Sequence, residues 1–146
     1  EGDSDFDGMS DGYEKTYGLN AVGDDAAADS DNDGMSNLAE YTAGTAADNW
    51  DTDGDLSSDG DEDIAGTDAL DVSSFFHVSD IQPRVGGGCL VTFDSAPSRD
   101  YTVYCRSDLS SGWIELVKDV AGTGDPITVE DLANDGSCFY KVEVTR

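Results

Sequence analysis

The chain has 146 residues, with 33 Asp and Glu against seven Lys and Arg and a single His, for a formal net charge of −26. That balance excludes ordinary nucleic-acid binding, which needs a basic face, and argues against docking on anionic lipid unless a cation bridges the two. Hydrophobic residues make up 37% and form no run approaching a membrane span.

The charge is unevenly placed. Residues 1–71 hold 22 acids against Lys15 alone, whereas residues 72–146 hold 11 acids and six bases. The composition shift divides the chain into an acidic arm, 1–72, and a second module, 73–146.

The arm contains one pattern three times, in loops 3–14, 29–40 and 51–62. Aspartates stand at loop positions 1, 3 and 5: Asp3, Asp5 and Asp7; Asp29, Asp31 and Asp33; Asp51, Asp53 and Asp55. Position 9 is Asp11, Asn37 or Asp59, and position 12 is Glu14, Glu40 or Glu62. This is the ligand schedule of a calcium loop, in which three carboxylates converge, position 7 offers its backbone carbonyl, position 9 often acts through water and a bidentate Glu closes the sphere. The position-7 carbonyls belong to Met9, Met35 and Ser57. An all-oxygen set of this size suits Ca2+ better than Mg2+, and a segment without His or Cys does not suit zinc or copper. About three ions are expected. Gly8 and Gly34 supply the turn at position 6, where the third loop has Leu56, so that loop is expected to be distorted, weaker or differently turned.

Short helices follow the first two loops, over 13–17 and 38–43, each stopped by a glycine, Gly18 or Gly44; Gly66 holds the same place in the third unit. The entering helix of a full EF-hand is missing, and helices this short do not survive alone. Apolar residues are too few to offset chain entropy without metal. A site at about a hundred times its dissociation constant contributes about 2.7 kcal/mol, so three amount to a typical domain stability.

These residues resemble bacterial thrombospondin type 3 repeats. The likeness is carried by 3–12, 29–37 and the Gly-Thr pairs at 44–45 and 66–67. Dockerin loops are related but fit less well. The resemblance covers about half the chain and implies a calcium-loaded spacer without catalysis.

Beyond residue 72 the chain reads as strands between turns: 75–78, 89–93, 101–105, 113–117, 127–130 and 138–144, with glycines at 86–88 and a turn at 134–136. Period-2 alternation puts Cys89, Val91 and Phe93 on one face, and likewise Tyr101, Val103 and Cys105. The expected fold class is mainly β with short helices: half-EF-hand-like loops followed by an immunoglobulin- or fibronectin-like antiparallel sandwich. The second half also resembles a C-terminal β module that follows such acidic repeats in secreted bacterial proteins, on 74–76, 101–104, 108–109 before Trp113, and 139–142. All three cysteines face inward. A Cys105–Cys138 bridge is slightly preferred over Cys89–Cys105, with one thiol left over.

No catalytic constellation is present. His77 is the lone His, beside two Phe, and reads as a packed or surface residue; the glycines at 86–88 lack the Lys of a phosphate loop and read as a turn. The chain is expected not to be an enzyme. With no signal peptide, it reads as a mature product or a piece of a longer precursor. The expectation is an extracellular or cell-surface, calcium-stabilised structural protein, a spacer or adhesion subunit that self-assembles into a homo-oligomer or filament. The alternative is a non-catalytic tail of a larger secreted enzyme that grips extracellular glycan or another partner. Nucleic acid and a membrane span are expected to play no part.

Overall fold

The structure, a computed structural model, describes residues 2–132 and 138–146. It divides into two compact units, one of Glu1–Asp63 with Asp68–Phe75 and one of Ile64–Thr67 with Phe76–Arg146. The chain is mainly β, with three short helices and two antiparallel sheets.

Each acidic loop runs directly into a seven-residue helix: α1 Asp11–Tyr17, α2 Asn37–Ala43 and α3 Asp59–Ala65. The start is set by a serine at loop position 8. Ser10 Oγ accepts from Tyr13 N at 3.3 Å, Ser36 Oγ from Ala39 N at 3.3 Å and Ser58 Oγ from Asp61 N at 3.0 Å. The short polar side chain satisfies an N–H that the first turn leaves without a helical partner. Gly18 and Gly44 end α1 and α2 in the left-handed region, their N–H groups returning to the carbonyls of Glu14 and Glu40. The helices therefore begin one or two residues before the expected starts, at position 9 rather than beyond it.

Little apolar surface is buried in this unit. Met9, Ala26, Met35 and Ala47 are its buried hydrophobics, whereas Phe6 and Leu56 are more than four-fifths exposed and Trp50 is nearly half exposed. Tyr13 links the first two repeats: its ring lies 4.6 Å from Tyr17 and 4.9 Å from Tyr41, and its hydroxyl donates to Thr45 O at 3.1 Å.

The second unit has six strands: β1 Val78–Pro83, β2 Cys89–Phe93, β3 Asp100–Arg106, β4 Ile114–Ala121, β5 Ile127–Asp131 and β6 Phe139–Thr145. They form sheets in the orders β1-β2-β5 and β4-β3-β6, every pairing antiparallel. Connections that pass from one sheet to the other make this a Greek-key sandwich. Phe93, Tyr101 and Val103 are fully buried between the sheets, with Phe76, Val117, Ile127, Val129 and Val142 packed around them.

The first strand is displaced from the expected 75–78. Phe76 enters the core from irregular chain, its ring 5.9 Å from Tyr101, and pairing starts at Val78. Pro83 is tolerated in β1 because β1 is an edge strand and its missing N–H breaks no ladder. The glycines at 86–88 form the β1–β2 turn, closed by Arg84 N–H to Gly88 O at 3.0 Å. His77 lies on the surface, its Nε2 3.8 Å from Asp94 Oδ2. The turn expected at 134–136 lies outside the described residues.

Candidate metal centres

The three acidic loops share one hydrogen-bond schedule. At position 1, each carboxylate holds two backbone N–H groups of its own loop. Asp3 accepts from Phe6 N (2.7 Å) and Gly8 N (3.2 Å), Asp29 from Asn32 N (2.7 Å) and Gly34 N (3.1 Å), and Asp51 from Gly54 N (2.8 Å) and Leu56 N (3.0 Å). At position 3, one oxygen accepts from the position-5 N–H: Asp5 from Asp7 at 3.4 Å, Asp31 from Asp33 at 3.3 Å, Asp53 from Asp55 at 3.2 Å. At position 5, one oxygen accepts from position 7: Asp7 from Met9 at 2.9 Å, Asp33 from Met35 and Asp55 from Ser57 at 2.7 Å. The curl is thus held by its own side chains, and it brings one oxygen of each of the first three aspartates within 4.8 Å of the other two in every loop.

The oxygens left over face inward. Asp5 Oδ2, Asp31 Oδ2 and Asp53 Oδ2 are buried and accept no hydrogen bond, and the same holds for both oxygens of Glu14 and of Glu40. Buried carboxylate oxygens are costly without a donor or a cation. Burial, followed by the charges of Asp5, Asp7 and Asp25, raises the pKa of Glu14; burial, followed by Asp31 and Asp33, pushes Glu40 up to about 8. Burial likewise raises Asp5, Asp31 and Asp53. The donor set, hard oxygens at converging positions with buried oxygens in need of a counter-charge, fits Ca2+.

Leu56 does not break the third loop. Positions 4 and 6 are left-handed in all three: Phe6 and Gly8 (φ 65° and 101°), Asn32 and Gly34 (66° and 103°), Gly54 and Leu56 (84° and 80°). Each loop carries one glycine and one residue with a side chain at these two places, and in the third loop they are exchanged. The strain of Leu56 has its counterpart in Phe6, and Asn32 accepts the region more easily. Both Leu56 and Phe6 project into solvent, so neither side chain opposes the turn.

The position-9 residues brace the loops. Asp11 accepts from Ser4 N and Ser4 Oγ, both at 2.9 Å, and the Ser4 hydroxyl bond, then Lys15, hold its carboxyl below the usual range. Asp59, fully buried, accepts from Thr52 N at 2.9 Å and Thr52 Oγ1 at 2.6 Å. Asn37 instead donates from Nδ2 to Asp25 O at 2.9 Å, while its Oδ1 is buried without a donor. Glu62, on α3 at position 12 of the third loop, is 1% exposed.

Asp25 lies outside the repeated loop pattern, yet the fold brings it to the first site. Asp7, Glu14 and Asp25 each place an oxygen within 4.8 Å of the others, and Asp25 Oδ1 is buried without a donor. Asp25 N–H also donates to Asp7 Oδ2 at 3.4 Å. The second loop makes the equivalent cross-link through Asp33 Oδ2, which accepts from Gly60 N at 2.6 Å. These partners lie 18 and 27 residues downstream, a spacing that does not repeat, so no periodicity points to them.

The family model described as Bacterial TSP3 repeat matches residues 3–18 and 29–45. Those two segments are similar to bacterial TSP3 repeats. TSP3 repeats are modules of a calcium-binding type typical of extracellular proteins, and the matched segments contain the buried orphan oxygens of Asp5, Glu14, Asp31 and Glu40. The third loop lies outside the matched segments and shares the hydrogen-bond schedule and left-handed turn positions of the first two. No curated protein and no solved structure matches the chain.

One further surface lies on the second unit. On the face of β4-β3-β6 turned away from the core, the Arg106 guanidinium sits 4.2 Å from the Trp113 ring centre and 5.9 Å from that of Phe139, and Lys141 Nζ lies 4.9 Å from the Tyr104 ring. Trp113 and Phe139 remain more than a third exposed.

Proposed function

We propose that this protein is a calcium-stabilised structural subunit of the extracellular space or cell surface, in which the acidic loops hold three ions and the β sandwich is a non-catalytic docking module. A single observation carries this reading: the buried, donor-free oxygens of Asp5, Asp31, Asp53, Glu14 and Glu40. A folded chain tolerates such oxygens only when a counter-ion or a proton neutralises them. Bound Ca2+ supplies that counter-charge and a fixed centre to which loop and helix are both tied. The ligands in this reading are the carboxylates of positions 1, 3, 5 and 12, with the carbonyls of Met9, Met35 and Ser57, and with Asp25 added to the first site.

Isothermal titration with elemental analysis tests it. Three Ca2+ per chain are expected, with one lost in each of Glu14→Gln and Glu40→Gln. A stoichiometry unchanged by both substitutions rejects the assignment. Self-assembly into filaments extends the reading; negative-stain microscopy that finds only single chains at millimolar calcium removes the extension and leaves the calcium sites standing.

The exposed Trp113, flanked by Arg106, Lys141 and Phe139, favours a second reading, the glycan-binding tail of a larger secreted protein. An aromatic face beside polar groups suits the apolar face of a sugar ring. A glycan array separates the two, because a purely structural subunit gives no signal that Trp113→Ala abolishes.

A further inference from the structure

The three cysteines and one buried carboxylate gather at one end of the sandwich. Cys89 opens β2 and pairs in register with Asp131, the last residue of β5. Cys105, near the end of β3, pairs with Tyr140 of β6. Cys89 has the inward parity of the buried Val91 and Phe93, and Cys105 that of Tyr101 and Val103. Tyr140 Oη donates to Asp131 Oδ2 at 3.0 Å, and Asp131 is 2% exposed. That bond runs from one sheet to the other, so the end of β2 and β5 meets the end of β3 and β6 face to face at this point. Cys138 directly precedes β6 and, two residues before Tyr140, points to the same inner side.

Cys138 is therefore the thiol with a cysteine on either hand, Cys89 across the gap between sheets and Cys105 on the neighbouring strand. The three thiols share one electrostatic environment. Burial, Asp131 and then Cys89 raise the Cys138 thiol; burial, Asp131 and then Cys138 raise that of Cys105. The two partners differ in geometry. Cys105 lies opposite Tyr140, which makes Cys138 its diagonal neighbour, and diagonal positions on antiparallel strands are about 7–8 Å apart. A disulfide needs Cα atoms within about 7 Å. A bridge across facing sheets is governed instead by how closely the sheets approach, which the Tyr140–Asp131 bond brings together at this end, and antibody sandwiches carry such an inter-sheet disulfide. Cys105 is also the most buried of the three, whereas Cys89 and Cys138 are both partly exposed.

We infer that Cys89 and Cys138 form an inter-sheet disulfide when the protein meets an oxidising compartment, leaving Cys105 as a buried thiol. With a small-molecule disulfide RSSR as oxidant, one protein thiolate attacks a sulfur of RSSR, forming a mixed disulfide and releasing RS−, which takes up a proton. The second protein thiolate then attacks the protein sulfur of that mixed disulfide and releases the second RSH. The protein loses two hydrogens, and RSSR is reduced to two RSH. The bridge ties the first residue of β2 to the residue before β6, beside the Tyr140–Asp131 bond that joins the two sheets.

Trypsin separates the three thiols, since cleavage after Arg84, Arg99, Arg106, Lys118 and Lys141 puts Cys89 in 85–99, Cys105 in 100–106 and Cys138 in 119–141. The test is to incubate the full chain with calcium and oxidised glutathione, alkylate in denaturant, and map peptides by mass. Expected are one alkylated cysteine, Cys105, and a linked pair of 85–99 with 119–141. Cys105→Ser keeps that link, and Cys89→Ser and Cys138→Ser each remove it. Three alkylated cysteines, a persistent glutathione adduct, a Cys105 linkage or a bridge between two chains each overturns the proposal. Circular dichroism of the serine variants separates a lost bridge from a lost fold.

Discussion

Leu56 shows how a residue can look wrong and still fit. A glycine is expected at loop position 6, yet the third loop places its glycine at position 4 and lets Leu56 take φ 80°. The side chain is 84% exposed and packs on nothing, so Leu56→Gly relieves left-handed strain and loses no contact. Set against the added freedom of the unfolded chain, the net gain is about 1 kcal/mol, read as a rise in the melting temperature of the calcium-loaded chain. Glu40 is the opposite case, a residue in its expected place with an unusual proton affinity. Burial and the nearby aspartates move it from 4.5 to about 8 in the metal-free chain. A carboxyl raised on folding keeps its proton after the unfolded chain has released it, so folding is disfavoured progressively as pH climbs from about 4.5 to about 8. In chelator, the acidic unit is expected to melt at a lower temperature at pH 8 than at pH 5. With saturating calcium the trend is expected to reverse, because the ion takes the proton's place, and calcium added near pH 7 should release protons into a weakly buffered solution. A metal-free unit equally stable at both pH values contradicts this.

At the scale of the element, loop and helix are one device. The serine at position 8 starts the helix and the glutamate at position 12, on that helix, closes the site, so a capping defect becomes a metal defect. Ser10→Ala and Ser36→Ala are each expected to cost about 1 kcal/mol and to weaken calcium at their own loop, measured by thermal melts and titration together. The loops are also coupled. A Cβ on Gly60 would run into the Asp33 backbone oxygen, and the Gly60 N–H is the group that Asp33 Oδ2 accepts from. Gly60→Ala is therefore expected to weaken calcium at the second loop as well as the third, seen as two altered sites in a titration. A change confined to the third loop would show that the contact carries no coupling. Much of this level is legible in the chain: the Asp spacing locates the loops, and Gly18 and Gly44 locate the helix ends. The brace role of Asp11 and Asp59 is not, because the same residue types at position 9 serve either as a water-mediated ligand or as acceptors for Ser4 and Thr52.

For the whole molecule, the two units rest on different forces. The sandwich buries Phe93, Tyr101 and Val103 among partly buried neighbours, whereas the acidic unit buries two methionines and a few alanines around carboxylates. Chelation is expected to lower the melting temperature of the acidic unit far more than that of the sandwich, which limited proteolysis and near-ultraviolet circular dichroism would read separately. Loss of both units in one transition would show that the sandwich needs the metal too.

The Asp-x-Asp-x-Asp schedule, the closing glutamates and the alternation of Cys89, Val91 and Phe93 are local patterns, and local patterns set loop type, strand parity and ligand chemistry without reference to the rest of the chain. The recruitment of Asp25 beside Asp7 and Glu14, the seat of Phe76 in the core, the bond from Gly60 to Asp33 and the bond from Tyr140 to Asp131 are tertiary. Each depends on where irregular connectors return the chain. That path is set by packing and by the need to give buried oxygens a partner, neither of which repeats along the sequence.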